Sequence, residues 1–274
     1  MNANNAEMME YWNGPAGERW AAFQPVLDKA LEKISEAVLA FAAAKPAERV
    51  LDIGCGTGTT TYTLAKSVGP SGNVTGIDIS KPMLAVARSR GTGANFREAD
   101  ASNHLFHPTH DLLFSRFGVM FFANPTPAFA NMRKALRPRG RLAFVCWRDM
   151  KENLWASAPM AAARPLLPPQ EPVDPLTPGP FALADDARLK DILTKSGYRD
   201  IRIGKLDTTM NMGATLEDAV EQALRIGPLA RATTDIDEPT REKVREAVRG
   251  VLGRFATPDG IAPPAACWLV GAVA

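Results

Sequence analysis

A chain of 274 residues with 46% hydrophobic and 23% charged residues has an ordinary globular composition, long enough to bury a core without disulfide or metal staples. The formal net charge of +2 and the lack of a basic block weigh against a nucleic-acid partner. No run approaches 18 apolar residues, so no membrane span is expected. The start, MNANNAEMMEYW, lacks the basic and apolar regions of a secretory signal. The three cysteines, Cys55, Cys146 and Cys267, are far apart and form no CxxC pair. A reducing cytoplasm is therefore the expected compartment.

Residues 26–41 carry Leu27, Leu31, Ile34, Val38 and Phe41 at steps of four and three, one face of an amphipathic helix stopped by Pro46. RVLDIG then reads as a short buried strand, and TTTYTLAKSV after the glycines as a helix. Gly69-Pro70-Ser71-Gly72 is a turn, and NVTGIDI a second strand. Ser80 is placed to cap a helix with Pro82 in its first turn. ANFREAD and DLLFSRFG read as a third and fourth strand. A helix over 126–136 is expected to end at Pro138 and Gly140, before RLAFVCW as a fifth strand. This alternation implies βαβ units and a parallel sheet, and the near-continuous apolar strands fit a sheet covered on both faces.

The pattern breaks at 151–184, which holds eight of the 22 prolines and reads as an irregular insertion. DARLKDILTKSGY resumes a helix and RDIRIGKLDTTM a strand. Thr215 with Asp218 starts a further helix as a capping box, and Val244, Val248, Val251 and Phe255 mark another. AACWLVGAVA closes the chain as an apolar strand.

The chemistry concentrates in VLDIGCGTGT. Gly54, Gly56 and Gly58 have GxGxG spacing, whereas the dinucleotide fingerprint wants its third glycine where Thr59 stands. No Gly-Lys-Ser/Thr follows, so the loop is not a P-loop either. Asp78 ends the second strand about twenty residues on, where an acidic side chain can accept both hydroxyls of a ribose. Asp100, in EADA after the third strand, is a candidate partner for an adenine amino group or a solvated loop carboxylate.

VLDIGCGTG, GIDIS, EADA, DLLFSRFGVMFF and LRPRGRLAFVCW, in this order over residues 48–148, resemble the class I S-adenosylmethionine-dependent methyltransferases. The chain is most similar to their small-molecule branch, grouped with the ubiquinone/menaquinone C-methyltransferases (methyltransferase type 11/25). PFALAD and the final CWLVGAVA resemble that branch more weakly, and RPRG departs from the usual glycine pair.

The resemblance implies an α/β, Rossmann-like, seven-stranded, mostly parallel sheet with helices on both faces. Its last strand would be antiparallel beside the fifth. The division expected is an N-terminal helical cap over 1–46 and a cofactor-binding core over 47–150. An irregular acceptor lid over 151–184 follows, then the rest of the core over 185–274 with a helical insertion at 214–257.

The resemblance also implies roles. Asp52, Gly54, Cys55, Gly56 and Gly58 would hold the methionine moiety, Asp78 the ribose, and Ile79 and Met83 the faces of the adenine. Asp100 and Ala101 would meet its edge. Ser115, Arg116 and Phe117 would border the sulfonium and the acceptor mouth. Trp12 would close the pocket, with Trp20 packing on the core. Position in the sheet adds to these: at the end of the fifth strand, where an open α/β sheet presents ligands, Trp147 would wall the acceptor with Trp155 from the 151–184 segment, and Arg148 would hold an anionic one, unless Arg148 pairs with Asp149 instead. Phe121, Phe122 and Phe129 read as core.

The histidines, His104, His107 and His110, lie within seven residues but not at the spacing of a common zinc site, so no metal is expected. His104 is the candidate general base.

The expected activity is methyl transfer from S-adenosylmethionine to a small molecule by direct in-line displacement. The alternatives are an RNA or protein acceptor, a cofactor-binding module without transfer, and a nicotinamide oxidoreductase. The GxGxG spacing argues against the last, and SRFG in place of Asn/Asp-Pro-Pro-Tyr argues against N6-adenine transfer. The amphipathic insertions offer a face for a homodimer.

Overall fold

A computed structural model describes residues 5–91, 93–169, 174 and 176–274. Four short helices come first: α1 (Ala6–Asn13), α2 (Pro15–Ala22), α3 (Gln24–Ala30) and α4 (Glu32–Ala42). There follow β1 (Arg49–Ile53), α5 (Thr59–Val68), β2 (Asn73–Asp78), α6 (Lys81–Ser89), β3 (Asn95–Glu98), β4 (His110–Arg116), α7 (Pro125–Arg133) and β5 (Leu136–Trp147). The second half holds α8 (Leu154–Ala163), α9 (Asp186–Lys195), β6 (Arg199–Thr209), α10 (Leu216–Arg225), α11 (Pro228–Ala232) and α12 (Glu238–Leu252). It ends in a small hairpin, β7 (Ala256–Thr257) with β8 (Gly260–Ile261), and in β9 (Pro264–Val273).

Seven strands form one sheet in the order β3-β2-β1-β4-β5-β9-β6. The first five run parallel, and β9 lies antiparallel between β5 and β6. Val50, Leu51, Asp52 and Ile53 are consecutive and each at most 2% exposed. Because side chains alternate across a strand, both faces of β1 must be covered. This is the Rossmann-like sheet that the resemblance implies. Strand order reverses direction between β1 and β4, and the crevice beyond the carboxyl ends at such a point is where open α/β sheets take ligands.

Local chemistry explains the elements that position this crevice. Ser80 caps α6 by accepting from the Met83 N–H, and Pro82 occupies the first turn. Thr215 and Asp218 close a reciprocal capping box on α10. No helix of the described residues is long and apolar enough to cross a membrane.

Three expectations are corrected. The helix expected over 26–41 is two, with a break at Leu31 (φ −100°, ψ 8°) that lets Leu27 and Leu31 face the crevice. Phe41 is 36% exposed at the helix end, where its ring lies over Gly271. The helix expected over 126–136 ends at Arg133, and Pro138 and Gly140 fall inside β5. Leu136 pairs with His110 and Arg141 with Leu112, so the residues between them bulge out, with Arg139 at φ 66°.

The segment 151–184 is not irregular throughout, because α8 fills 154–163 with Pro159 inside it. Its start is pinned by Asn153, which is fully buried. The Asn153 amide donates to the Ala266 carbonyl at 3.1 Å and accepts the Ala266 N–H at 2.9 Å. That partner lies 113 residues away, beyond the reach of local pattern. Residues 170–173 and 175 of this segment, and residues 1–4 of the expected cap, lie outside the described residues.

Candidate functional site

The glycine loop curls over the end of β2 because the Gly54 and Cys55 N–H groups both donate to the Ile77 carbonyl, at 2.8 and 3.1 Å. All three glycines have positive φ: 64°, 54° and 83°. They serve different ends. A Cβ on Gly54 would stand 2.6 Å from the Gly118 Cα, and one on Gly58 would stand 2.8 Å from the Phe96 ring. Gly56 is open; a Cβ there would meet only the Met83 Sδ, at 3.7 Å.

Asp78 braces this loop. Its carboxylate accepts the Gly56 N–H at 2.7 Å on one oxygen and the Ser80 N–H at 2.8 Å on the other. Burial pushes its carboxyl above the usual range, while those backbone N–H groups oppose the rise. Asp100 accepts the Ser102 N–H at 2.9 Å and the Asn103 amide at 3.1 Å.

One cavity joins the loop, Asp78 and Asp100 to an aromatic wall. Phe117, itself at φ 64°, stacks on Trp147 with centroids 4.2 Å apart and planes at 13°. Trp155 leans on Trp147 at 4.9 Å, and its indole N–H donates to Asn153 Oδ1. Trp12 meets Trp20 and Phe121 edge to face, at 5.8 and 5.1 Å.

The N-terminal helices are tied down at two places. At the start of α6, Ser80 donates to the Trp12 carbonyl at 2.7 Å, and Asn13 donates to the Ile79 carbonyl and accepts the Lys81 N–H. At the start of α5, Thr59 donates to Asp28 at 2.6 Å, and Arg90 reaches Asp28, Thr59 and the Thr57 carbonyl.

The methyltransferase domain family matches residues 50–140. The chain is 39% identical over 105 residues to the ubiquinone/menaquinone biosynthesis C-methyltransferase UbiE of Ectopseudomonas mendocina, covering 36% of this chain and 41% of that protein. It is 31% identical over 126 residues to the nocamycin O-methyltransferase of Saccharothrix syringae, covering 44% and 42%. The chain thus matches less than half the length of either relative. Among solved structures, phosphoethanolamine N-methyltransferase 2 of Haemonchus contortus, in complex with S-adenosyl-L-methionine, superposes with a TM-score of 0.59 at 16% identity. That match covers 96% of this chain and 59% of that one, and at such identity it shows the fold alone.

Residues 50–140 are a class I S-adenosylmethionine-dependent methyltransferase domain.

Most residues singled out in the sequence line the cavity of this methyltransferase domain. They are Gly54, Cys55, Gly56, Asp78, Ile79, Met83, Asp100, Ala101, Arg116 and Phe117, with Trp12 from the cap and Trp147 and Trp155 from the far wall. The Cys55 thiol is pushed well up by burial and is not a reactive thiolate.

Five others stand elsewhere. Asp52 is fully buried behind the loop, accepting the Thr60 and Thr61 hydroxyls at 2.9 and 2.7 Å. Gly58 packs under Phe96 as the turn into α5. Ser115 donates to the Ile53 carbonyl at 2.7 Å and accepts the Gly118 N–H, holding the β4 turn against the glycine loop. Arg148 is paired with Asp207 and Glu152 and lies 5.1 Å over the Trp268 ring, so it faces away from the cavity. Asp149 pairs with Lys151 rather than with Arg148.

His104 packs edge to face on Phe106 at 4.9 Å and does not line the cavity; burial, Arg97 and His107 hold its pKa below the usual value. The histidines do not converge, and among the described residues no three His, Cys, Asp or Glu side chains are placed to hold a metal.

The domain's cavity also has walls that sequence reasoning missed. Trp20, Phe121 and Phe122 line it rather than filling only the core, whereas Phe129 is core. Asp28, Met210 and Ile226 come from α3, the end of β6 and the end of α10. The capping and amphipathic patterns reveal those elements but not that they meet here.

Proposed function

We propose that the protein transfers the S-methyl group of S-adenosylmethionine to a small-molecule acceptor. The observation that carries this reading is that Asp78, Asp100 and the open Gly56 backbone border the same cavity as the Phe117–Trp147–Trp155 aromatic wall.

The residues fit that cofactor. The Gly56 and Ser80 N–H groups take one Asp78 oxygen each, and the Ile79 N–H also acts on the carboxylate; an ionised carboxylate offers about four acceptor positions, so capacity remains for a ribose hydroxyl. Ile79 and Met83 are apolar neighbours for the faces of a purine, and Asp100 and Ala101 stand at its edge. Gly54, Cys55 and Gly56 would pass under the methionine arm, while Asp52, Gly58 and Ser115 support the loop from behind.

Bound S-adenosylmethionine supplies a methyl group on a sulfonium that is its own leaving group. The chain's task is then to align the acceptor in line and to exclude water. Trp12, Trp20 and Phe121 form one side of that enclosure, and the bonds from Asn13 and Asp28 hold it shut over the loop.

The titratable side chains that line the cavity among the described residues are Asp28, Cys55, Asp78, Asp100 and Arg116. Asp28 is already engaged by Thr59, Gln24 and Arg90. An acceptor that presents a free lone pair or an acidic proton suits this wall better than one that needs a protein base. The net charge of +2 supports a small molecule over a nucleic acid, and three free cysteines support a cytoplasmic setting.

Calorimetric titration with S-adenosylhomocysteine, S-adenosylmethionine and NADH tests the reading. Micromolar binding of the two sulfur nucleosides is expected, with none of NADH. Binding of NADH alone would overturn it. Radiolabelled methyl transfer to an organic-extractable product, rather than to RNA or protein, tests the acceptor class.

A further inference from the structure

We propose that Arg116 forms an anion subsite in the cavity that takes a carboxylate group, carried either by the amino-acid end of the cofactor or by the acceptor. The inference rests on the cofactor and acceptor reading of the cavity given above.

Arg116 ends β4 and is the one cation among the described residues that line the cavity. Its Nη1 donates to the Ser35 hydroxyl at 2.8 Å. Ser35 is itself 8% exposed and gives its proton to the Leu31 carbonyl at 2.7 Å, so its oxygen is fixed as the acceptor and orients one arm of the guanidinium. A guanidinium carries five N–H donors in a planar fork. The bond to Ser35 is the only hydrogen bond this side chain makes among the described residues, and no carboxylate lies within ion-pair distance of 4.0 Å. Arg90, Arg141, Arg148, Arg245 and Arg249 each pair with a carboxylate.

The two acids that act on Arg116 from beyond ion-pair range are committed elsewhere: Asp28 to Thr59 and Arg90, Asp52 to Thr60 and Thr61. Arg116 is half-buried, and a cation partly removed from water without a counter-ion at hand is costly to hold; a ligand that supplies the counter-ion lowers the cost. The free side of the fork matches a planar carboxylate bidentately. A phosphate dianion fits less well, because among the described residues no second cation lines the cavity, and the charges of Asp28 and Asp52 act on the position.

The experiment compares wild type with Arg116→Met by calorimetry. S-adenosylhomocysteine is set against 5′-methylthioadenosine, which lacks the amino-acid end. In protein saturated with S-adenosylhomocysteine, 2-naphthoate is set against 2-naphthol. If the cofactor supplies the carboxylate, the variant loses about ten- to a hundredfold in affinity for S-adenosylhomocysteine and nothing for methylthioadenosine. If the acceptor supplies it, 2-naphthoate takes that loss and 2-naphthol does not.

Equal affinities in both proteins for all four probes would overturn the proposal. So would losses on the uncharged probes as large as on their carboxylate counterparts. Arg116→Lys keeps the charge without the fork and serves where the Met variant does not fold; it is expected to lose affinity for the same carboxylate probe alone. If wild type binds no S-adenosylhomocysteine, the cofactor reading fails, and the 2-naphthoate and 2-naphthol pair run without it still decides the subsite.

Discussion

Asp52→Asn tests the electrostatics of the fold with no ligand present. Asp52 is fully buried, with one oxygen on the Thr60 and Thr61 hydroxyls and the other without a partner. Burial pushes its carboxyl from the ordinary 3.8 up to about 6, against the pull of the two threonines and Arg116. The native state therefore holds the proton more tightly than the unfolded chain does. The stability this group contributes is complete below pH 3.8 and is lost as the pH rises through about 6.

Above that window, keeping the anion folded costs about 3 kcal/mol, since each unit of difference is worth about 1.4 kcal/mol. Asparagine keeps the shape and still offers the threonines an acceptor, but it has no charge to bury. Urea unfolding of both proteins at roughly pH 4 to 8 should show the variant gaining on wild type as pH rises, by up to about 3 kcal/mol at the upper end. A difference that stays flat with pH, or a variant that falls further behind as pH rises, would refute the argument that desolvation dominates at Asp52.

Gly54→Ala should cost about 1–2 kcal/mol from its positive φ alone, with the clash on Gly118 added, and should weaken S-adenosylhomocysteine binding; urea unfolding and calorimetry measure the two. Arg148→Met should lower the unfolding free energy by about 1–2 kcal/mol through lost pairing with Asp207 and Glu152 and lost cover of Trp268. It should leave S-adenosylhomocysteine affinity unchanged, whereas a selective loss of ligand binding would return Arg148 to the site. His104→Ala should change neither cofactor affinity nor the rate of methyl transfer, because the ring lies on Phe106 outside the cavity. A fall in turnover with normal cofactor binding would reinstate it as a base.

The α/β sheet, the glycine turn and the acids that close β2 and follow β3 were all legible along the chain. Each rests on neighbours in the chain. Buried strands read as apolar runs, a positive-φ turn demands glycine, and Ser80 and Thr215 cap the helices they precede. The same locality explains why Asp78 and Asp100 were legible as cavity residues, since Asp78 closes β2 and Asp100 lies two residues past β3.

Which way the remaining side chains face depends on contacts that form only when the chain folds. Asp52 and Asp78 both lie near the carboxyl ends of apolar strands, yet the Thr60 and Thr61 hydroxyls draw one behind the loop while the other opens on the cavity. Arg116 ends β4, and Arg148 directly follows the neighbouring β5. Asp207 and Glu152 pair with Arg148 on the outside, whereas among the described residues no carboxylate comes within ion-pair distance of Arg116. Asn153 turns a proline-rich segment into α8 by bonding to Ala266, 113 residues away. Such choices depend on partners that only the folded chain brings within hydrogen-bond range, and a charge costs little on one side of a strand and much on the other.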